Sequence, residues 1–313
     1  MAVLHRPQSG IYAEPSLHGL FVFMHIDSDD VAGVRACLAS LPEHIKHWQG
    51  YFSEALLSVV VGIGEAYWDV LSPDSRPDGL HGVPDFTRSE HPCPATPYDF
   101  VLIVRSDRVD ANYATARALQ EVLTGVAVLA QETVSFRYLD GRDWLGFKVN
   151  PDMPHGGQRR ELALVRSDDD PEFEDGSFLW IQQSRAEVAR FSRLTNAEQE
   201  RLMGRERSSG QRLKTAKQSH AEKNLGEVWS QRMLLTNLRH QGEIAFSFAR
   251  SMNALQDWMT RRFLPDADGL CDPLLDYQQV EHNSVYFVPS ERWLQGLTDL
   301  PTILDQNKRN DGD

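Results

Sequence analysis

The sequence predicts an α+β fold: two ferredoxin-like domains, each an antiparallel sheet with helices on its outer face. Three observations lead there. In the first half, apolar runs and helical spacings alternate in the order strand, helix, strand, strand, helix, strand. The second half repeats that order less clearly. Between the halves lies a polar stretch, residues 150–173, rich in Pro, Gly, Asp and Arg. Two such sheets, each with one helix-covered face, bury a large enclosed core by packing against each other.

Taken in order, residues 20–25 form an apolar run bounded upstream by Pro15 and Ser16, and read as the first strand. Residues 29–41 carry Val31, Val34, Cys37 and Leu38 at helical spacing, with Asp30 placed to cap the helix start. Residues 55–61 are the next strand, closed by Gly62 and Gly64, and a Pro- and Gly-rich surface loop covers 72–97. Strand 99–105, helix 111–123 and strand 127–137 complete the first half. In the second, 176–183 is a strand, 185–191 and 196–203 are helical, and Thr195 with Glu198 forms a capping box. Strand 242–250, helix 253–263 and strand 284–288 follow. The predicted organisation is an N-terminal domain 1–149, a linker 150–173, a C-terminal domain 174–304 and a disordered tail 305–313 of Asp, Asn, Lys, Arg and Gly.

Composition narrows the function classes. The chain has 313 residues, 41% hydrophobic and 25% charged, in the range of globular proteins. A formal charge of −13 argues against a nucleic-acid partner, because phosphate backbones are met by basic surfaces. No run approaches the roughly 18 apolar residues of a membrane span, and residues 1–7 lack the pattern of a secretory signal. Three scattered cysteines suit a reducing compartment, so a cytoplasmic location is expected; passive capture into a larger particle would leave no charge signature. Gly62-Ile-Gly64 lacks the third glycine of a dinucleotide motif, and no Gly-x-Ser-x-Gly elbow is present. His18, His25, His44 and His47 read as ordinary polar positions, and Trp68, Trp144, Trp180, Trp229 and Trp258 as packing residues.

The most informative segment is 136–154, Phe-Arg-Tyr-Leu-Asp-Gly-Arg-Asp-Trp-Leu-Gly-Phe-Lys-Val-Asn-Pro-Asp-Met-Pro. With it go Pro7-Gln-Ser-Gly-Ile11, Val60-Val-Gly-Ile-Gly64, Asp175-Gly-Ser-Phe-Leu179, Met203-Gly-Arg-Glu206, Ser219-His220 and Val285-Tyr-Phe-Val-Pro-Ser290. Across nearly the whole chain these resemble the dye-decolorizing-type haem peroxidases, in their compact bacterial branch. The resemblance implies the dimeric α/β-barrel type of fold and one haem b. It makes His220 the proximal ligand of the haem iron, a neutral imidazole being a good axial donor. Asp276 resembles the acidic partner that holds the other ring nitrogen, with Asp272 its nearby competitor. Arg232 matches the distal arginine, whose charge would stabilise a departing oxygen.

Two departures matter. The family's Gly-Phe-x-Asp-Gly is here Gly146-Phe147-Lys148-Val149-Asn150, so Val149 stands where the distal Asp is expected and Asn150 replaces a glycine. Leu234 stands where the family commonly has Asn or Ser. Peroxide cleavage needs a proton moved between its oxygens, and a valine carries none; Asp152 and His155 are the candidate substitutes. Lys148 is expected to face away from the haem or to meet a propionate. The resemblance therefore implies a haem-dependent oxidoreductase with weakened or repurposed peroxide chemistry, taking a small organic substrate with peroxide or oxygen. The alternatives are a non-enzymatic haem carrier, a haem enzyme whose substrate binds iron directly, and an interaction module without haem. A homo-oligomer is expected.

Overall fold

Residues 6–152, 154–214, 216–237 and 240–300 are described by the structure, a computed structural model. The first sheet holds β1 (His18–Ile26), β2 (Ser58–Gly64), β3 (Phe100–Ser106) and β4 (Ala127–Phe136), antiparallel in the order β4-β1-β3-β2. The second holds β5 (Ser177–Ala186), β6 (Trp229–Asn237), β7 (His240–Ala249) and β8 (Gln278–Val288), in the equivalent order β8-β5-β7-β6. The α+β expectation of two ferredoxin-like sheets is borne out. The sheets meet at two narrow seams, Ile63–Phe287 with Gly64–Tyr286 and Phe136–Leu234, which close the eight strands into a barrel.

Side-chain alternation explains why both faces of each sheet are buried. On β1, Leu20, Val22 and Met24 pack outward with Val34, Leu38 and Leu41 of helix Val31–Tyr51 and Leu119 of helix Val109–Val122. Phe21 and Phe23 point the other way, where they share the barrel interior with Leu179, Ile181, Phe246 and Tyr286. In the second half, Trp180 and Phe178 face helix Met252–Phe263 through Leu255, Trp258 and Phe263. Asp30 caps the first helix by accepting from the Gly33 amide at 3.1 Å. That helix runs past the expected stop to Tyr51, because Leu41, Pro42 and Ile45 are all buried and their packing offsets the backbone bond that Pro42 cannot make.

Two local differences from the sequence reading bear on function. Strand β6 was not expected, since Ser230, Gln231 and Arg232 break the apolar pattern of a buried strand. Gln231 is nevertheless buried, accepting from Arg105 at 2.6 Å inside the barrel, while Arg105 also donates to the Gly10 carbonyl at 2.8 Å and lies over the Phe246 ring. Burial pushes the Arg105 pKa down to about 10. This polar clamp fixes β6 from within, so that Ser230, Arg232 and Leu234 face outward. The polar stretch 150–173 is not all irregular either: Gly157–Ala163 is helical, and the buried Arg159 pairs with Glu14 and lies over the Trp229 ring. No helix among the described residues is long and apolar enough to cross a membrane.

Candidate active site

The loop that carries the informative motif is folded on itself. Asp143 Oδ1 accepts from the Leu145 and Phe147 amides at 3.0 and 2.8 Å, and the Asp143 amide donates to the Phe147 carbonyl. Arg142 donates to the Gly146 and Arg207 carbonyls, and Trp144 Nε1 donates to the Gly242 carbonyl at 2.7 Å, tying the loop to β7. Asn150 sits at φ +51, a left-handed conformation that a glycine enters freely and an asparagine better than most. That is why Asn serves where a glycine is expected.

His220 opens the short helix His220–Lys223 and is buried. Its Nδ1 lies 2.8 Å from Asp272 Oδ2, and its Nε2 lies 2.9 Å from Arg232 Nη2. A carboxylate only accepts and a guanidinium only donates, so these partners assign the tautomer: Nδ1 carries the hydrogen and Nε2 keeps its lone pair. Burial lowers the His220 pKa, with the Asp272 contact opposing and Arg232 and Arg262 reinforcing the shift, so the ring is neutral. Asp272 is fully buried and also accepts from Arg262 Nε at 2.9 Å and the Leu274 amide at 3.0 Å. Burial alone would raise its pKa, but the contacts with His220 and Arg262 outweigh burial and hold the carboxyl well below the usual range.

The expected partner of His220 is therefore corrected from Asp276 to Asp272. Asp272 precedes the 3-10 turn Pro273–Tyr277 and Asp276 lies within it, the turn's inward side being taken by the buried Leu274 and Leu275. Asp272 caps that turn and points inward. Asp276 points out, 57% exposed, with His91 at 3.7 Å as its ion-pair partner.

A cavity of about 200 Å³ lies against His220, lined also by Asp143, Lys148, Arg232 and Trp258. A second cavity, of about 490 Å³, shares Lys148, Asn150, Pro151 and Arg232 with the first and is lined by Val149 and Leu234. The structure thus brings the two apolar departures from the family pattern together beside Arg232. Asp152 lines the first cavity, but its carboxylate is bound by Arg205 and, at 2.6 and 2.8 Å, by Arg212. Burial works against ionisation there, yet the two arginines win and hold the Asp152 pKa below the usual range, so it is a poor proton carrier at neutral pH. His155 is exposed just before helix Gly157–Ala163 and lines neither cavity, so it is not placed to substitute for the missing carboxylate. The sequence reading passed over Arg262, which has no local signal, and Asp143 and Glu243, whose proximity depends on how the loop lies on β7.

The family models for the N-terminal and C-terminal parts of Dyp-type peroxidase match residues 8–137 and 140–292. The chain belongs to the Dyp-type peroxidase family. It is 25% identical over 295 residues to a dye-decolorizing peroxidase of Mycobacterium tuberculosis, covering 90% of this chain and 88% of the relative. Among solved structures, a variant of DypB from Rhodococcus jostii RHA1 in complex with heme is 27% identical, with a TM-score of 0.86 over 93% of this chain and 98% of that one. A dye-decolorizing peroxidase from Bacteroides thetaiotaomicron shares the Dyp-type fold at a TM-score of 0.88, with 23% identity over 94% of this chain and 99% of the other.

Proposed function

We propose that this chain is a haem-dependent oxidoreductase whose peroxide chemistry is weakened or redirected toward a small organic substrate. The observation that carries the reading is the His220 ring at the cavity wall: neutral, with Nδ1–H held by Asp272 and the Nε2 lone pair accepting only from Arg232, a bond that iron would replace. Those are the properties an axial ligand of haem iron needs, and they fit the group. Lys148, Arg205, Arg212 and Arg232 around the cavity supply the positive charge that haem propionates require. Haem, when bound, supplies the electrons that reduce peroxide and withdraws electrons from an organic donor.

The chain's own residues set the limits of that chemistry. Asp272 keeps the His220 tautomer and orientation, and its charge makes the imidazole a stronger donor. Released from Nε2 when iron takes that lone pair, Arg232 would stabilise negative charge developing on a departing oxygen. Val149 and Leu234 exclude water and offer apolar surface to an uncharged substrate, but neither moves a proton. Support for a cytoplasmic location comes from three free cysteines, and for a homo-oligomer from the exposed Val128, Leu129 and Val134 along β4.

Peroxide-driven oxidation of a small electron donor by the haem-loaded chain tests the reading. The expected rate is below that of relatives bearing the distal Asp, and Val149→Asp, which adds a carboxyl beside Arg232, should raise it. A wild-type rate matching those relatives would remove the case for weakened chemistry. Haem uptake with no peroxide reaction in either protein would favour a carrier.

A further inference from the structure

One buried carboxyl of the motif loop, that of Asp143, faces the cavity. Asp143 is 7% exposed and lines the cavity with His220 and Arg232. One of its oxygens, Oδ1, is committed to the Leu145 and Phe147 amides. Its other oxygen, Oδ2, has no hydrogen-bond partner among the described residues. We propose that Asp143 is the proton carrier of this site: Oδ2 takes a proton from one oxygen of hydrogen peroxide and returns it to the other, which leaves as water with the O–O bonding pair. The carboxylate ends as it began, and the two electrons come from the haem of the proposed reading, on which this inference rests.

The surroundings suit that work. Burial is the main force raising the Asp143 pKa to about 7, the nearby Glu243 carboxylate adds to it, and the loop amides and Arg232 oppose. Glu243 projects from β7, where Gln278 donates to it at 2.9 Å and Arg232 lies 3.7 Å away. Lys148, Arg205, Arg212 and Asp152 also line the cavity, Asp152 accepting from both arginines, while Arg142 and Arg207 bind the loop carbonyls at Gly146 and Leu145. A carboxyl poised near neutrality both accepts and releases a proton readily, which the arginine-bound Asp152 does not.

Infrared titration of the full chain without haem reads the group directly. The expected result is a protonated-carboxyl band that fades as pH rises through about 7, is absent in Asp143→Asn, and fades at lower pH in Glu243→Gln, where a repelling charge has gone. A band that survives in Asp143→Asn would put the proton on Glu243 and overturn the proposal. In the haem-loaded chain, Asp143→Asn should lower the rate of reaction with peroxide about a hundredfold at unchanged haem affinity. The wild-type rate should fall as pH drops below about 7, and Glu243→Gln should move that limb to lower pH. Haem-loaded Asp143→Asn with an unaltered rate and pH profile would also sink it. Failure of the wild type to take up haem would instead defeat the parent reading, leaving the infrared result to stand alone.

Discussion

Replacing His220 by Ala should abolish haem retention. Nε2 is a neutral ring nitrogen with a lone pair at the cavity wall. Loss of a group that merely orients a metal ligand costs roughly 10–100-fold in affinity, so loss of the ligand itself should exceed about a hundredfold. The fold should survive, because Asp272 keeps its contacts with Arg262 and the Leu274 amide. Titration of haem into wild type and variant, followed at the Soret band, provides the measurement. Added imidazole should restore the band by filling the space left by the ring. A variant that binds haem with the wild-type affinity and spectrum would remove His220 from the iron and take the proposed function with it.

The strands that are apolar on both faces and the helices with a regular apolar stripe were legible in the sequence. β1, β3 and β5 lie where continuous apolar runs put them, because both of their faces are buried, and helix Met252–Phe263 lies where its helical spacing puts it. β6 was not legible. Its inward Gln231 is satisfied by Arg105 on β3, a partner 126 positions away, and nothing local marks such a pair. The same cause hid Glu243, which reads as a solvent-facing strand residue until the Trp144 indole ties the motif loop across β7.

The site was legible through its motif but not through its contacts. His220, Arg232, Val149 and Leu234 could be named from the resemblance, and the structure places them around two adjoining cavities. Choosing between Asp272 and Asp276 required the direction of a single turn. Spacing along the chain permitted both, whereas the buried Leu274 and Leu275 permit one. Asp152 shows the opposite limit: it is near the cavity, as hoped of a substitute base, but two arginines fix its charge.

Asp272→Ala should be the most destabilising single substitution at this site. The carboxylate is 0% exposed and accepts from His220, Arg262 and the Leu274 amide, so its removal strands a buried guanidinium and uncaps the turn. Breaking a buried ion pair from one side typically costs about 3–5 kcal/mol. Asp276→Ala, four positions on and exposed, should stay within about 0.5 kcal/mol of wild type, as surface changes generally do. Chemical denaturation of the haem-free proteins compares the two directly, and equal midpoints would refute the assignment of Asp272 as the buried partner. Asp272→Asn provides the electronic counterpart. It keeps an acceptor of similar shape but removes the charge, so His220 becomes a weaker donor and the reduction potential of bound haem should rise. A potential unchanged in Asp272→Asn, in a chain that still folds and binds haem, would mean that Asp272 serves only to hold the turn.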